Sequence, residues 1–184
     1  MTIILALLMM AAPDQVPAGR VTTVPVVDLD RYVGTWFEVA RYDNVFQRSC
    51  AGDVTAVYAK RPDGRLDVIN RCRRADGAMT TAAGIARVVD AATRAKLKVR
   101  FAPAFLSWLP AVWGDYWIIG LADDYRWAVI GTPDHKYLWV LSRRPVLDEG
   151  QYRRAVEIAR ANGFDDRQLR LTPHGRRDVP TPRD

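Results

Sequence analysis

The stretch Gly34-Thr35-Trp36-Phe37-Glu38-Val39-Ala40-Arg41-Tyr42 decides the fold of this chain. A glycine leads into an alternating run, and a large indole stands two positions after it. Much later in the chain, the stretch Tyr137-Leu138-Trp139-Val140-Leu141-Ser142-Arg143 has matching features. It ends in Arg143, whose planar guanidinium can lie across the indole of Trp36. The two stretches therefore indicate the two ends of a sheet that closes on itself.

Short alternating runs fill the sequence between these stretches, and each run ends at residues that favour turns. The predicted strands comprise residues 35–43, 52–60, 65–73, 79–89, 95–102, 114–122, 126–132 and 137–143. The breaks include Pro62-Asp63-Gly64 and Asp76-Gly77, which are turn sequences. Turns this short join antiparallel neighbours, and no long helix interrupts the series. The pattern predicts an all-β antiparallel barrel or sandwich.

One amphipathic helix is predicted after the strands. Asp148 can cap its start, and Gly163 ends it. Its apolar face comprises Tyr152, Val156, Ile158 and Ala159. We expect this face to pack on the outer wall of the barrel, followed by a short last strand at residues 169–171. The basic tail at residues 173–184 is expected to be disordered.

The bulk composition fits one domain with ample apolar material for a core. The chain has 184 residues, 49% of them hydrophobic, and a net charge of 27 − 21 = +6. A basic surface suits nucleic acid, an anionic membrane or an acidic ligand. The alternative is that arginine simply serves as the solubilising charge. The charges are spread along the chain without a basic helix or arm, so we expect no nucleic-acid partner.

The first residues have the character of an export signal. Residues 1–12 are apolar and end in small residues, which predicts a secretory signal peptide too short to span a bilayer. No lysine or arginine precedes the apolar run, so the signal can be incomplete. Residues 13–27 are rich in proline and are predicted to be a linker. No cysteine follows the apolar run, so the sequence predicts a periplasmic or outer-membrane-associated protein without a lipid anchor.

Cys50 and Cys72 are the two cysteines of the chain. Export places them in an oxidising compartment, where such a pair bonds. They flank the turn at residues 61–65, and a hairpin around this turn brings them close together. Mirror pairing misses by a few residues, so a bulge must absorb the offset. The alternative is two free, buried thiols.

Residues that signal metal binding or catalysis are sparse. His135 and His174 are the two histidines, and neither has a second candidate ligand nearby in sequence. No arrangement typical of nucleophilic catalysis is recognisable. We therefore predict no metal, no cofactor and no enzymatic activity. The rival enzyme hypothesis depends on Glu38, which would act as a base if it stood alone in an apolar pocket.

Three blocks of this sequence resemble the lipocalins, and within them the bacterial lipocalins related to apolipoprotein D. The first block is Gly34-x-Trp36 followed by Glu38-Val39-Ala40-Arg41. The second is Gly114-Asp115-Tyr116, which opens a strand that runs into residues 123–129. The third is the stretch at residues 137–143. The blocks occur in the family's order and spacing, and the resemblance covers residues 28–172.

The resemblance implies an eight-stranded up-and-down barrel with a hydrophobic pocket inside and one α-helix packed outside. It also implies binding and transport or storage of a small hydrophobic ligand. The bacterial branch is associated with the outer membrane and with fatty acids or lysophospholipids. Many bacterial relatives carry a lipid-modified cysteine after the signal, and this chain does not. We expect a monomer or a homodimer.

The resemblance assigns three residues to the closed end of the barrel: Gly34, Trp36 and Arg143. Because side chains alternate along a strand, this placement fixes which residues face inward. The predicted ligand-binding residues are Glu38, Ala40, Tyr42, Tyr116, Tyr137, Trp139 and Leu141. A buried Glu38 needs an arginine or tyrosine partner. The alternative is an interior filled by its own side chains, since small barrels can be filled.

Residues 102–113 form a strongly apolar segment without charge, and two prolines make it a poor central strand. We expect it at the open end, together with the loops at residues 44–51, 74–78 and 132–136. Exposed apolar surface of this kind favours a lid, a peripheral membrane contact or a protein-docking surface. The predicted mouth residues are Phe105, Leu106, Trp108, Leu109 and Trp113. The alternative is a hairpin buried against its own barrel. Candidate partners for an anionic head group at the rim are Arg48, Arg73, Arg74 and Lys136.

Overall fold

A computed structural model describes residues 20–175 of the chain. The helices are α1 (Leu29–Tyr32) and α2 (Glu149–Ala161). The strands are β1 (Gly34–Arg41), β2 (Cys50–Lys60), β3 (Leu66–Arg74), β4 (Met79–Val88), β5 (Lys96–Arg100), β6 (Gly114–Leu121), β7 (Trp127–Gly131), β8 (Leu138–Ser142) and β9 (Arg170–Leu171). The eight predicted strands are confirmed with shifts of only a few residues, since their alternation and turns are local signals.

Strands β1 to β8 form a closed antiparallel barrel. Each strand pairs with the next, and β1 pairs with both β2 and β8. Trp36 lies opposite Ala56 of β2, while Phe37 lies opposite Ser142 of β8. Strand β9 adds to the barrel beside β1. Closure removes the free sheet edges that would otherwise invite pairing with other chains.

Arg143 fastens the closed end of the barrel. Its guanidinium carbon lies 3.8 Å from the ring centroid of Trp36. Its Nη1 donates to the carbonyl oxygen of Thr35 at 2.9 Å, and its Nη2 donates to the three carbonyl oxygens of residues 31–33. The Trp36 indole donates to the carbonyl of Tyr32 at 2.8 Å. The expected contact between arginine and indole is therefore present, and it ties β8 to β1 and α1.

Gly34 is required at the start of β1 by backbone conformation. Its φ is +98°, a region that side chains disfavour. A Cβ at this position would also lie 3.4 Å from Nη1 of Arg143. Glycine thus permits both the sharp entry into β1 and the approach of the guanidinium.

The part of the predicted linker that the structure describes is packed against the barrel, so the linker prediction is wrong for residues 20–27. Val21 and Val27 are buried, and the amide of Val24 donates to the carbonyl of Ile118 at 3.0 Å. Val27 also joins the core with Leu29 and Tyr32 of α1. These valines bury apolar surface that a free linker would expose.

This strap, residues 20–27, runs along the outside of the barrel between its two ends. The amide of Thr22 donates to the side chain of Asn162 at 2.7 Å, and the backbone carbonyl of Asn162 accepts from Nε2 of His135, in the β7–β8 turn, at 2.9 Å. At the other end, the amide of Val27 donates to the carbonyl of Thr93 in the β4–β5 turn. The strap therefore enters at the open end and finishes at the closed end. The predicted signal peptide at residues 1–12 lies outside the described residues.

Helix α2 packs on the outer wall as predicted. Asp148 caps it by accepting from the amide of Gln151 at 2.9 Å. Ala155, Val156 and Ala159 are buried, and the helix contacts β6 and β7. Asn162 and the positive-φ residue Gly163 end it. Within residues 20–175, no helix combines the length and the apolar character needed to span a membrane.

The predicted disulfide between Cys50 and Cys72 is confirmed, with a Cα–Cα distance of 5.5 Å. The pairing of β2 with β3 shifts twice between Cys50 and Thr55, which absorbs the offset expected from the sequence. The bond braces the end of the β2–β3 hairpin that lies on the side of the open end.

The prediction of a disordered tail at residues 173–184 is wrong for its first three residues. The carbonyl of Pro173 accepts from the amide of Asp53 at 2.9 Å, and the amide of Gly175 donates to the Asp53 carboxylate at 2.7 Å. His174 pairs through Nε2 with the carbonyl of Glu38 at 2.7 Å. Residues 176–184 lie outside the described residues.

We predict that Arg143→Lys lowers the free energy of unfolding by about 2 kcal/mol, because one ammonium cannot replace a planar guanidinium that donates to five carbonyls. Chemical denaturation measures this loss. Arg144→Lys at the exposed neighbouring position is the matched control, with an expected change within about 0.5 kcal/mol. Equal effects of the two substitutions would contradict the role assigned to Arg143.

Removal of the disulfide by the double substitution Cys50→Ala and Cys72→Ala is expected to reduce stability by about 3 kcal/mol, since the bond closes a loop with a sequence separation of 22. Urea unfolding of the oxidised wild type, the reduced wild type and the variant tests this. The reduced wild type should resemble the variant. Coincident unfolding curves for the oxidised and reduced wild type would refute the expectation.

Candidate functional site

The barrel encloses a hollow of about 560 Å³ that opens at one end. This volume falls in the range of sites for small organic ligands. Its apolar wall includes Val54, Ala56, Val68, Val99 and Ile130. These residues come from β2, β3, β5 and β7, whose alternation turns every second side chain inward. The interior is therefore open space, and the filled core considered as the alternative is not what the structure has.

Five of the seven predicted ligand-binding residues lie on this wall: Glu38, Tyr116, Tyr137, Trp139 and Leu141. Glu38 comes from β1, Tyr116 from β6, and Trp139 and Leu141 from β8, while Tyr137 directly precedes β8. Tyr137 and Trp139 stack with their ring centroids 5.8 Å apart. The inward positions of these five residues therefore agree with the sequence prediction.

The inward placement of Ala40 and Tyr42 is wrong. The pairing of β1 with β8 shifts between Glu38 and Ala40, so a bulge reverses the alternation at this point. Ala40 and Tyr42 are buried in a second cluster that packs with α2 outside the barrel. The Tyr42 hydroxyl donates to the carbonyl of Asp165 at 2.9 Å. The sequence carries no local signal for this bulge.

Glu38 is buried beside the cavity, and both of its carboxylate oxygens accept hydrogen bonds. Arg41 donates through Nη1 to Oε1 at 2.6 Å, and Thr172 donates its hydroxyl to the same oxygen at 2.5 Å. Gln47 donates through Nε2 to Oε2 at 2.6 Å. An arginine partner was expected, while Gln47 and Thr172 lie too far along the chain to be found from sequence. This carboxylate is thus not the lone group that the enzyme hypothesis requires.

Gln47 also connects this network to the cavity wall. Its Oε1 accepts from the indole nitrogen of Trp139 at 2.9 Å and from Asn44 at 2.8 Å. Asn44 in turn caps the short turn that contains Gln47. Both carboxylate oxygens of Glu38 and both ends of the Gln47 amide are thus paired, which holds Trp139 against the wall and leaves the hollow largely apolar.

Three tyrosines form a polar floor at the closed end of the cavity. The hydroxyls of Tyr32 and Tyr116 are 2.7 Å apart, and Tyr58 donates to Tyr116 at 3.0 Å. Burial raises the pKa of Tyr58 to about 12 and raises the pKa values of Tyr32 and Tyr116 well above the ordinary range. Tyr116 was predicted from sequence. Tyr58 shares the inward alternation of Val54 and Ala56, so that signal could have identified it too.

The open end carries the predicted apolar segment. Phe105 and Trp108 are 75% and 74% exposed, whereas Trp113 is 8% exposed and lines the cavity together with Ala111 and Val112. Leu106 and Leu109 are half-buried. The segment is therefore neither a closed lid nor a buried hairpin, since its inner part forms the mouth while its tips project into solvent.

Three of the four predicted head-group partners at the rim already pair with a carboxylate of the protein. Arg73 pairs with Asp53 at 2.6 Å, Arg74 with Asp76 at 3.4 Å, and Lys136 with Asp134 at 3.2 Å. Arg48 is exposed, and no carboxylate of the described residues pairs with it. In the described part of the chain, no three His, Cys, Asp or Glu side chains group closely enough to hold a metal ion.

Comparison with known proteins gives a consistent result. Residues 27–174 match the family of lipocalin-like domains. The chain is 39% identical over 161 residues to outer membrane lipoprotein Blc of Escherichia coli strain K12, which covers 87% of this chain and 86% of that protein. It is 27% identical over 165 residues to apolipoprotein D of Mus musculus, covering 84% and 82% of the two chains.

The fold comparison agrees with these sequence matches. The structure of insecticyanin from the tobacco hornworm Manduca sexta superposes with a TM-score of 0.66 over 84% of this chain and 85% of that chain. The identity is 17%, so this likeness concerns the barrel fold alone.

Because Tyr58 in the tyrosine floor is buried, we predict that the free energy of unfolding decreases at alkaline pH. Tyr58 titrates near pH 10 when unfolded and at about 12 when folded, so its contribution is intact below pH 10 and falls away as pH rises to about 12. Unfolding by urea across this window should show a loss of about 3 kcal/mol from this residue. In Tyr58→Phe, the free energy of unfolding should fall by about 3 kcal/mol less than in the wild type over this pH window. The same fall in both proteins would contradict the role assigned to Tyr58.

Proposed function

The chain belongs to the lipocalin family, and from that premise we propose that its barrel binds and carries a single-chain amphiphile in the cell envelope. Membership implies the binding of a small hydrophobic ligand in general terms. The finer proposal is a fatty acid or a lysophospholipid. The observation that carries it is the hollow of about 560 Å³, which is apolar along its wall and open at one end.

Burial of a hydrocarbon chain provides enough free energy for this task. Each methylene transferred from water contributes about 0.8 kcal/mol, so a chain of roughly ten methylenes gains about 8 kcal/mol before the ordering costs. Micromolar affinity is within reach of such a gain. The preformed cavity favours it further, because the protein side chains need little reordering.

Two polar features of the cavity support a ligand with a polar head. Arg48 at the rim is exposed without a carboxylate partner among the described residues, which suits a carboxylate or phosphate. The Oδ1 atom of Asn70 lies on the cavity wall, is buried and accepts no hydrogen bond. A glycerol hydroxyl of a lysophospholipid is a donor that would satisfy it.

The location and the partners belong to the same proposal. Relatives such as Blc are named as outer membrane lipoproteins, which makes the cell envelope the natural place for this chain. We propose the periplasm or the outer membrane surface, and a monomer or homodimer. The relatives compared above carry the names of lipoproteins rather than of enzymes, and we propose no catalytic reaction.

The direct test is mass spectrometry of lipids extracted from the purified protein, followed by titration of delipidated protein with a fatty acid and a lysophospholipid. Tryptophan fluorescence reports binding, because Trp113 and Trp139 line the cavity. We expect a co-purified single-chain lipid and saturable quenching. The absence of both would reject the proposal.

Partial filling of the cavity should weaken ligand binding. Ala56→Phe places a ring in the hollow and should weaken ligand affinity about tenfold or more, since two displaced methylenes are worth roughly 1.6 kcal/mol. Ala59→Phe on the exposed side of the same strand is the matched control and should bind as the wild type does. Equal affinities of the two variants, measured by the same quenching titration, would argue against the cavity as the binding site.

A further inference from the structure

We propose that the lip, residues 101–113, docks on an anionic phospholipid bilayer, with lipid phosphate groups at Arg87 and Lys98 and the lip aromatics in the apolar layer. This inference goes beyond the proposed ligand binding, because it concerns the outer surface and holds whether or not the cavity is occupied. Three observations carry it: the position of exposed apolar side chains, a second cavity under the lip, and the charge around that cavity.

Exposed apolar side chains are concentrated at the open end. Of the ten large hydrophobic residues exposed in the described part of the chain, six lie on the connections or strand ends at the mouth. They are Val45, Phe46, Met79, Phe101, Phe105 and Trp108. Exposed apolar residues that are clustered around one opening, rather than scattered, indicate a surface that contacts an apolar partner.

A second cavity of about 260 Å³ lies on the outer wall of the barrel under the lip. Arg87 of β4 and Lys98 of β5 are cross-strand neighbours and form its barrel side. Ser107, Trp108 and Pro110 of the lip cover it, and Trp113 separates it from the interior. The cavity therefore combines two cationic side chains with an exposed indole, as the boundary between head groups and acyl chains does.

The charge around this outer cavity is positive in excess. The Arg87 guanidinium lies 4.4 Å from the ring centroid of Trp113, and no carboxylate of the described residues pairs with it. Lys98 pairs with Asp115 at 3.0 Å. Arg100 is only 4% exposed, also without a carboxylate partner in the described chain, and its Nε has no hydrogen-bond acceptor. Two cations thus line the cavity and Arg100 lies 5.3 Å from the ring centroid of Trp113 beside it, while Asp115 is the one carboxylate among the described residues paired with any of the three. A phosphate group would offset this excess of positive charge.

The lip is ordered before any contact. The indole nitrogen of Trp113 donates to the carbonyl of Ser107 at 2.8 Å. Two short 3₁₀ turns, Ala104–Leu106 and Pro110–Val112, shape the rest of the segment. The tips Phe105 and Trp108 are therefore held outward in advance, which reduces the entropy lost on insertion.

The charge near the lip also favours a bilayer over a second copy of this chain as the partner that the lip contacts. A symmetric contact through the lip would bring the same excess of cations from both copies together, and like charges across an interface are unfavourable. An anionic lipid surface has the opposite sign and attracts both these side chains and the net charge of +6. We therefore assign the lip to lipid rather than to self-association.

Flotation with lipid vesicles tests the proposal. The full protein is mixed with vesicles of phosphatidylcholine alone or of phosphatidylcholine with phosphatidylglycerol. We expect flotation with the anionic vesicles, at least tenfold weaker binding to the neutral ones, and weakening by salt. Absence of binding to the anionic vesicles, or equal binding to both kinds, would overturn the proposal.

Two pairs of variants locate the contact. Arg87→Gln with Lys98→Gln should weaken binding to anionic vesicles about tenfold, whereas Arg153→Gln with Arg154→Gln on α2, which removes the same charge, should have little effect. Phe105→Ser with Trp108→Ser should likewise weaken binding about tenfold, whereas Val146→Ser, also at an exposed apolar residue, should not.

Thermal unfolding checks that each variant is folded. Equal losses in test and control variants would overturn the assignment.

Three further measurements distinguish docking on lipid from binding of free phosphate, from self-association and from ligand binding in the cavity. Inorganic phosphate should release the protein no more than chloride of equal ionic strength, since selective release by phosphate would mark a site for the free anion and overturn the assignment to lipid. Gel filtration should give the same oligomeric state for the wild type and the Phe105→Ser, Trp108→Ser variant, and conversion of a dimer to a monomer would favour self-association instead. Ala56→Phe should float normally, so loss of ligand binding and loss of docking are distinguishable.

Discussion

The contact of Arg143 with Trp36 is the interaction on which the barrel depends. A closed sheet must hold its first and last strands together, and the guanidinium does so by covering the indole and donating to five carbonyl oxygens, four of them in residues 31–35. The carbonyls of residues 31–35 end α1 and begin β1, so without the guanidinium several acceptors at the closed end would lose a partner. Sealing one end in this way confines access to the interior to the other end. A one-ended cup follows from this single constraint.

A hollow interior is stable only if the polar groups near it are satisfied. Glu38 is the clearest case, because its carboxylate accepts from a guanidinium, a hydroxyl and an amide, while the same amide side chain fixes Trp139. The tyrosine floor follows the same rule through hydroxyl pairs. What remains open to a guest is mostly apolar wall, with Asn70 as an acceptor still without a donor. This division between paired and unpaired polar groups supports the proposal that the cavity binds an amphiphile.

Local patterns in the sequence were sufficient for most of the fold and for part of the site. Alternation, turn residues and the cap at Asp148 act within a few residues, so strands and α2 could be predicted well. Ala40 and Tyr42 were misplaced because a bulge in β1 is set by pairing with β8, a partner distant in sequence. The partners Gln47 and Thr172 of Glu38 were missed for the same reason. The packed strap at residues 20–27 was missed because it follows the proline-rich residues 13–19 and itself contains Pro25, although Val21 and Val27 are buried.

The course of the strap has a practical consequence for handling the protein. The strap begins beside the β7–β8 turn, and the last described residues, 173–175, lie against Asp53 near the start of β2. Both extremities of the described fold thus emerge on the side of the mouth. A bulky fusion partner or a surface-immobilisation tag attached at either extremity would crowd the entrance. The β2–β3 turn at residues 61–65, on the opposite side, is the better position for a fluorophore or a linkage to a sensor chip.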